Sequence, residues 1–416
     1  MPFGILANIM KVFVVILKGA NTAFLPCYGN NWAQLQNLNV IAAQSLVLNQ
    51  YYCSRYDEAE IRKIWSDGVF QTANNYPNKN PSWIEVLKNK GWTTDYIGVE
   101  NKSDNNFFAS IFNSRVFLEP QNLKALDFHQ EMIALNGFKN KNQNSLIWIE
   151  VSSLLPPWNS AKEFLDPIQE ELQDYFLGRE EVEEDEEFPV PVLNPIEGFQ
   201  SIDDKTFLAL SSGCALAWTA VDDMLGAMVA SIQEKYGENE FSVVITSDRG
   251  SGTCQHEVLG TNPDWLFREF SHLPFLLYQP NLGKGGQRRN GYFQDVDLAP
   301  TLADICGLSV DGFFGKSILQ TDFLEDSPRR FAYTQDSRTG SKVFRTPSRA
   351  FFYRPSGNEG GESLTKYFVI PDDILEINDI SKTEIDYQEK IVESILMLDQ
   401  EGFFAQKKIE ALLDLN

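Results

Sequence analysis

The sequence predicts an α/β protein: a doubly wound, mostly parallel central sheet flanked by helices, with a small C-terminal α+β subdomain. Three observations carry this expectation. Apolar runs such as 12–17 and 241–246 lack polar alternation, the mark of strands covered on both faces. Helical patterns lie between such runs, as in chains that build parallel sheets. After about residue 315 the pattern changes to strand-like segments that follow one another and a terminal helix.

Residues 12–17 form the first strand-length run, bracketed by Lys11 and Lys18. The chain begins apolar, but no small-residue cleavage site precedes Cys27 and no run there is long enough to cross a bilayer. A first buried strand is therefore expected, not a leader. Residues 35–43 are amphipathic and helical. Residues 82–91, SWIEVLKNKG, place a Ser cap and a Gly stop around a helix, and a strand is expected at 94–99. SLIWIEV at 145–151 is another strand, and apolar residues at helical spacing predict a long helix over 210–236. FSVVITSDRG at 241–250 is a buried strand that ends in Asp248-Arg249. In open α/β sheets ligands sit beyond the carboxyl ends of such strands, so this end marks the candidate cleft. A strand at 273–278 and a short helix at 297–306 complete the core.

An acidic insertion covers about 178–196, with a carboxylate run at 180–187 followed by prolines. Charge repulsion makes it a solvated loop. Strands within 341–355 and 365–370, around a glycine-rich turn at 357–361, and a helix over 384–415 form the appendage. The expected domains are thus a core at 1–315 and a subdomain at 316–416.

The chain has 416 residues, 43% of them hydrophobic, enough for one large domain with an appendage. Its net charge of −23 repels nucleic acid and anionic bilayers, so neither is an expected partner. Five cysteines are widely spaced without a C-x-x-C pair, and the three histidines lack metal-ligand spacing. Reduced thiols in a cytoplasm are expected, and no disulfide framework or zinc site.

The segments in order resemble the sulfatase branch of the alkaline phosphatase superfamily. PCYGN at 26–30, NLNVIAA at 37–43 and IEVLKNKGWTTDYIG at 84–98 are similar to the family's early motifs. VDDMLG at 221–226, VITSDRGSGTCQH at 244–256, HLPFLL at 272–277, VDLAPTL at 296–302 and the segment 311–319 are similar to its later ones. The resemblance implies a divalent metal held by strand-end carboxylates. It also implies a Cys or Ser, oxidised to formylglycine, that attacks the sulfate ester. This chain departs from both. The nucleophile position is Glu58, with Arg62 and Gly68 as the matching residues of that motif, and a Glu cannot become formylglycine. The first pair of metal-binding Asp residues is replaced by Lys18-Gly19, and the second acidic set ends in Asp248-Arg249. A sulfate-binding Lys position is Val99, and SLLPPW at 153–158 lacks the family's His. One carboxylate cannot hold Ca²⁺ or Mg²⁺, which want several oxygens. No metal and no cofactor are expected.

Each candidate also has a plain structural reading. Arg62 is an oxyanion ligand or a surface residue of an amphipathic helix. Asp248 beside Arg249 is expected to form an ion pair or a helix cap. His256 corresponds to a family His near the pocket and is expected to be structural, and His272 to be a hydrogen-bonded edge residue. Arg288-Arg289 after GKGG is read as a surface turn, Asp222 and Asp223 as helix residues that cap or pair locally, and Cys53 as an inert thiol. Lys18 and Arg249 are expected to replace the lost cation electrostatically, close to Asp248 and Glu58. The expected function is a sulfatase-like pseudoenzyme that binds a protein or a small anionic ligand. The alternatives are a sulfate or phosphate ester hydrolase with a metal-independent site, and a metal-free lyase or mutase in the same cleft.

Overall fold

The structure is a computed structural model. It describes residues 9–31, 33–68, 82–99, 107–119, 124–156, 204–237, 241–253, 256, 258–280, 285–309, 312–320, 329–356 and 363–415. The acidic run at 180–187 lies outside the described residues.

Among the described residues, eight strands form the main sheet: β1 (Lys11–Leu17), β2 (Ser45–Tyr52), β3 (Thr93–Val99), β4 (Ser114–Leu118), β5 (Ser145–Val151), β6 (Phe241–Thr246), β9 (Phe275–Tyr278) and β10 (Gln287–Gln294). Their order is β10-β2-β9-β6-β1-β5-β3-β4. Only β9 runs antiparallel to its neighbours, β2 and β6. The other pairs are parallel, as the sequence predicts. Two-residue strands β7 (Gly252–Thr253) and β8 (Leu259–Gly260) pair separately beyond the end of β6.

Helices cover both faces, and β1 shows why its sequence has no polar alternation. Val12, Val14 and Ile16 point into one core, with Ile61 and Trp65 of α2 (Glu58–Asp67), Trp83, Ile84 and Leu87 of α3 (Trp83–Asn89), and Leu298 and Leu302 of a later helix. Phe13, Val15 and Leu17 point into the other core. There they meet Leu38 and Ile41 of α1 (Gln36–Ala43), Phe128 and Met132 of α4 (Ala125–Ala134), and Val221, Met224 and Leu225 of α5 (Asp204–Tyr236). Burying each such side chain contributes about 1.5–3 kcal/mol. Residues 213–236 of α5 are long and apolar enough to cross a bilayer, but their apolar face is built into this core. α3 begins as expected: the Ser82 hydroxyl accepts the Ile84 N–H, and Glu85 accepts the Ser82 N–H. Asp222 accepts the N–H groups of Asn37 and Leu38, so it caps α1 from across the fold and not its own helix.

β10 corrects one expectation. Arg288 and Arg289 lie on this edge strand, not in a surface turn. Its sequence, QRRNGYFQ, is polar because an edge strand needs apolar residues on fewer sides, and charge there discourages pairing with other chains.

Beyond α6 (Leu298–Ile305) the chain forms a four-stranded antiparallel sheet of β11 (Ala332–Gln335), β12 (Lys342–Arg345), β13 (Arg349–Arg354) and β14 (Leu364–Val369). α7 (Ile385–Glu401) and α8 (Gln406–Leu412) pack on it. Their Ile391, Ile395 and Ile409 share a cluster with Phe344, Phe351 and Tyr367, and also with Ile64 of α2. β11 is tied to the end of β2 by the Thr334 hydroxyl on the Cys53 carbonyl (2.6 Å) and the Gln335 N–H on the Ser54 carbonyl (3.0 Å). α2 is therefore held between the main sheet and the C-terminal sheet.

Candidate functional site

The central strands β5, β1 and β6 end side by side, and α2 covers one face there. Strand alternation decides which side chains meet it. Ile16 of β1 and Trp148 of β5 face the α2 side, so Lys18 and Glu150, two residues further on, face it too. α2 buries Ile61, Ile64 and Trp65, which turns Glu58 and Arg62, one helical turn apart, toward the strand ends. Its N-terminus is capped by Asp57, whose carboxylate accepts the N–H groups of Ala59 (3.0 Å) and Glu60 (3.1 Å).

The result is a network of alternating charge. Glu58 Oε1 accepts Lys18 Nζ at 2.6 Å and Arg62 Nη2 at 2.8 Å. Its Oε2 accepts Arg249 Nη2 at 3.4 Å. Arg62 also pairs with Glu150. The Arg249 guanidinium carbon lies 5.9 Å from the centre of the Tyr56 ring. All four side chains around Glu58, itself 15% exposed, are largely withdrawn from water. Burial pushes the Glu58 carboxyl up, but Lys18, Arg62 and Arg249 outweigh it and hold it at about 2. Its place in the first turn of α2 adds to this, since a helix N-terminus favours negative charge.

Asp248 differs from expectation. Its Oδ1 accepts the backbone N–H groups of Gly19 (3.1 Å) and Arg249 (2.8 Å), and its Oδ2 is buried without a hydrogen-bond partner. It is neither a helix cap nor the carboxylate that Lys18 and Arg249 grip. The reason is local: β1 and β6 continue as a bridge between Gly19 and Gly250, which turns Asp248 inward to the backbone. Gly19 has φ +80°, a backbone conformation that a side chain would strain, which suits glycine.

The fold family implies a divalent cation at these strand ends, and the residues present do not fit one. An ammonium and a guanidinium occupy the ground between the carboxylates. Glu58 is taken by three cations and Glu150 by Arg62. Among the described residues of this network, the carboxylate oxygens without a partner are Asp248 Oδ2 and Glu150 Oε1, too few for a hard cation. Among the described residues no group of three or more His, Cys, Asp or Glu side chains is arranged to hold a metal.

The remaining candidates lie apart from the network. His256 contacts Glu269 and the Leu375 carbonyl. His272 is buried between the Thr22 hydroxyl (2.7 Å) and the Asn49 carbonyl (2.8 Å), and burial pushes its pKa well below the usual histidine range. Cys53 is fully buried, and burial raises its thiol pKa, as an inert thiol requires. Cys27, Cys53 and Cys306 are free thiols. Sequence reasoning missed Glu150 and Tyr56. Glu150 carried a signal: it is the one charge in SLIWIEV, an otherwise uncharged strand, and its parity matches Trp148. Tyr56 carried none.

This frame of strand ends beneath a capped helix belongs to a sulfatase-like fold. Residues 215–308 match the family model described as Sulfatase. That stretch holds Asp248, Arg249 and His256 but not Lys18, Glu58, Arg62 or Glu150. Among solved structures, a candidate sulfatase from Bacteroides fragilis is similar at 15% identity and a TM-score of 0.72, covering 96% of this chain and 97% of that one. A protein solved with its substrate D-glucosamine-2-N,6-O-disulfate has 16% identity and a TM-score of 0.67, covering 96% and 98%. The phosphonate monoester hydrolase of Agrobacterium radiobacter has 13% identity and a TM-score of 0.68, covering 94% and 96%. No curated protein matches the chain in sequence. The chain thus has a sulfatase-like fold over nearly its whole length.

Proposed function

We propose that this sulfatase-like protein is a pseudoenzyme, a binding or regulatory protein on a hydrolase scaffold. The observation that supports this most is Glu58 held by Lys18, Arg62 and Arg249. Three cations bind the carboxylate that stands at the nucleophile position, and two of them stand where the family resemblance puts metal or its ligands. A carboxylate with a pKa near 2 is a weak base and a weak nucleophile, and both its oxygens are engaged. The ligand or partner is proposed to be a protein or a small anion, in a cytoplasm that keeps the thiols reduced. Nucleic acid and anionic membranes are disfavoured by the charge of −23.

A metal-independent ester hydrolase remains the second reading, favoured by one feature: Glu58 is ionised and surrounded by cations suited to an ester's negative charge. Similar folds act on sulfated sugar and phosphonate monoesters. Turnover of aryl sulfate, aryl phosphate and phosphonate monoesters separates the two. The expected result is no rate above a heat-denatured control, with or without a chelator. Chelator-resistant turnover that disappears in Glu58→Gln would support the hydrolase. Chelator-sensitive turnover would contradict both readings.

A further inference from the structure

His256 stands outside the Glu58 network, and its surroundings have a chemical peculiarity. Both ring nitrogens face acceptors. Nδ1 is 3.1 Å from Glu269 Oε1, and Nε2 is 2.8 Å from the Leu375 carbonyl oxygen. A neutral imidazole has one N–H and one lone pair, so either tautomer would set a lone pair against an acceptor. Only the imidazolium donates to both. The ring also stacks on Phe267, with centroids 3.7 Å apart and planes 3° from parallel, a position that suits a cation over an aromatic face.

The two acceptors belong to different parts of the chain. Glu269 is buried in the core and also accepts the Thr253 N–H of β7, in the segment that follows Asp248-Arg249. Leu375 lies in the turn between β14 and α7, where Ile374, Leu375 and Ile377 are exposed. The same turn has a second anchor. Glu376 is buried, accepts the Arg268 N–H at 2.8 Å, and pairs with Arg345 at 2.9 Å.

We infer that His256 is a proton-operated latch: as an imidazolium it ties the turn at 371–380 to the segment after the cation network, and its deprotonation frees the tip of that turn. The charged groups facing it agree. Glu269 is in contact and Glu376 is nearby, both favouring the cation. Lys366 of the C-terminal sheet, 5.9 Å from the Phe267 ring, and the cationic Arg268 oppose it, while the Arg345 guanidinium is engaged by Glu376 and the Leu266 carbonyl. Burial lowers the His256 pKa, but Glu269, the Leu375 carbonyl and Glu376 outweigh it and raise the group above the ordinary value. A raised folded-state pKa gives a contribution that is complete below the unfolded value, about 6.5, and is lost as pH rises through the folded value.

Two measurements on the full chain test this. The chain has three histidines, so an NMR titration resolves each. Burial lowers the pKa of His129 and of His272, so His256 is expected to be the one that titrates above the ordinary histidine range. Hydrogen exchange then reads the turn. After correction for the intrinsic pH dependence of exchange, protection at 374–378 should fall above that pKa by up to tenfold per pH unit, the limit for one linked proton. His256→Gln should show low protection there at every pH, while protection in β1 and β6 is unchanged. Titration of His256 at or below the ordinary range would overturn the latch. So would protection at 374–378 that does not change with pH in the wild type.

Discussion

Glu58→Gln is expected to lower the free energy of unfolding by about 3–5 kcal/mol, toward the lower end because the group is 15% exposed. The glutamine keeps the shape but turns one of the two acceptor oxygens into an NH2 donor facing a cation, so the loss combines the missing charge with a missing acceptor. Lys18 and Arg249 would lose their close carboxylate, and Arg62 would keep only Glu150. Unpaired cations at a largely desolvated strand end carry the full cost of burial. The double variant Glu58→Gln with Lys18→Met should be less damaging than the sum of the two, because it removes one partner of each sign. Asp248→Asn should not substitute for Glu58→Gln in that rescue, since Asp248 serves backbone N–H groups. Urea unfolding of the wild type, the three single variants and the two double variants measures all of this, and additive effects of Glu58→Gln and Lys18→Met would show that this pair does not couple.

Acid is expected to remove the same contribution by another route. The folded-state pKa of Glu58 is lowered to about 2 from an ordinary 4.5. Between these values the unfolded chain binds the proton more readily. The stabilisation is therefore complete above about pH 4.5 and is lost as pH falls toward 2. The shift corresponds to on the order of 3 kcal/mol. Other carboxylates titrate in this window, so the diagnostic quantity is the stability difference between wild type and Glu58→Gln. That difference should shrink as pH falls from 4.5 to 2. A difference that stays constant across the window would mean that the cations do not hold Glu58 ionised.

The legible parts of this protein were those that strand and helix periodicity dictates. β1 and β6 are apolar on both faces because helices cover both, and their sequences say so. The Ser82 cap and the change of pattern toward the C-terminal sheet were equally plain. β10 was not, because a polar edge strand reads as a loop. At the site, the cations at positions 18 and 249 were visible as charges at strand ends. Which of the two expected carboxylates they pair with was not. Whether Lys18 meets Asp248 or Glu58 depends on side-chain direction at a strand end and on how α2 is pressed down by Ile61, Ile64 and Trp65. Those contacts span distant parts of the chain. Glu150 was within reach of simple parity, counted two residues on from Trp148.

The central claim is that fixed positive charge from Lys18 and Arg249 stands in the place of a metal ion. Elemental analysis of the full chain, after incubation with Ca²⁺, Mg²⁺ and Zn²⁺ and exhaustive dialysis, tests it most directly. The account predicts no stoichiometric divalent cation in wild type. One tightly held cation per chain that is lost in Asp248→Asn would contradict it.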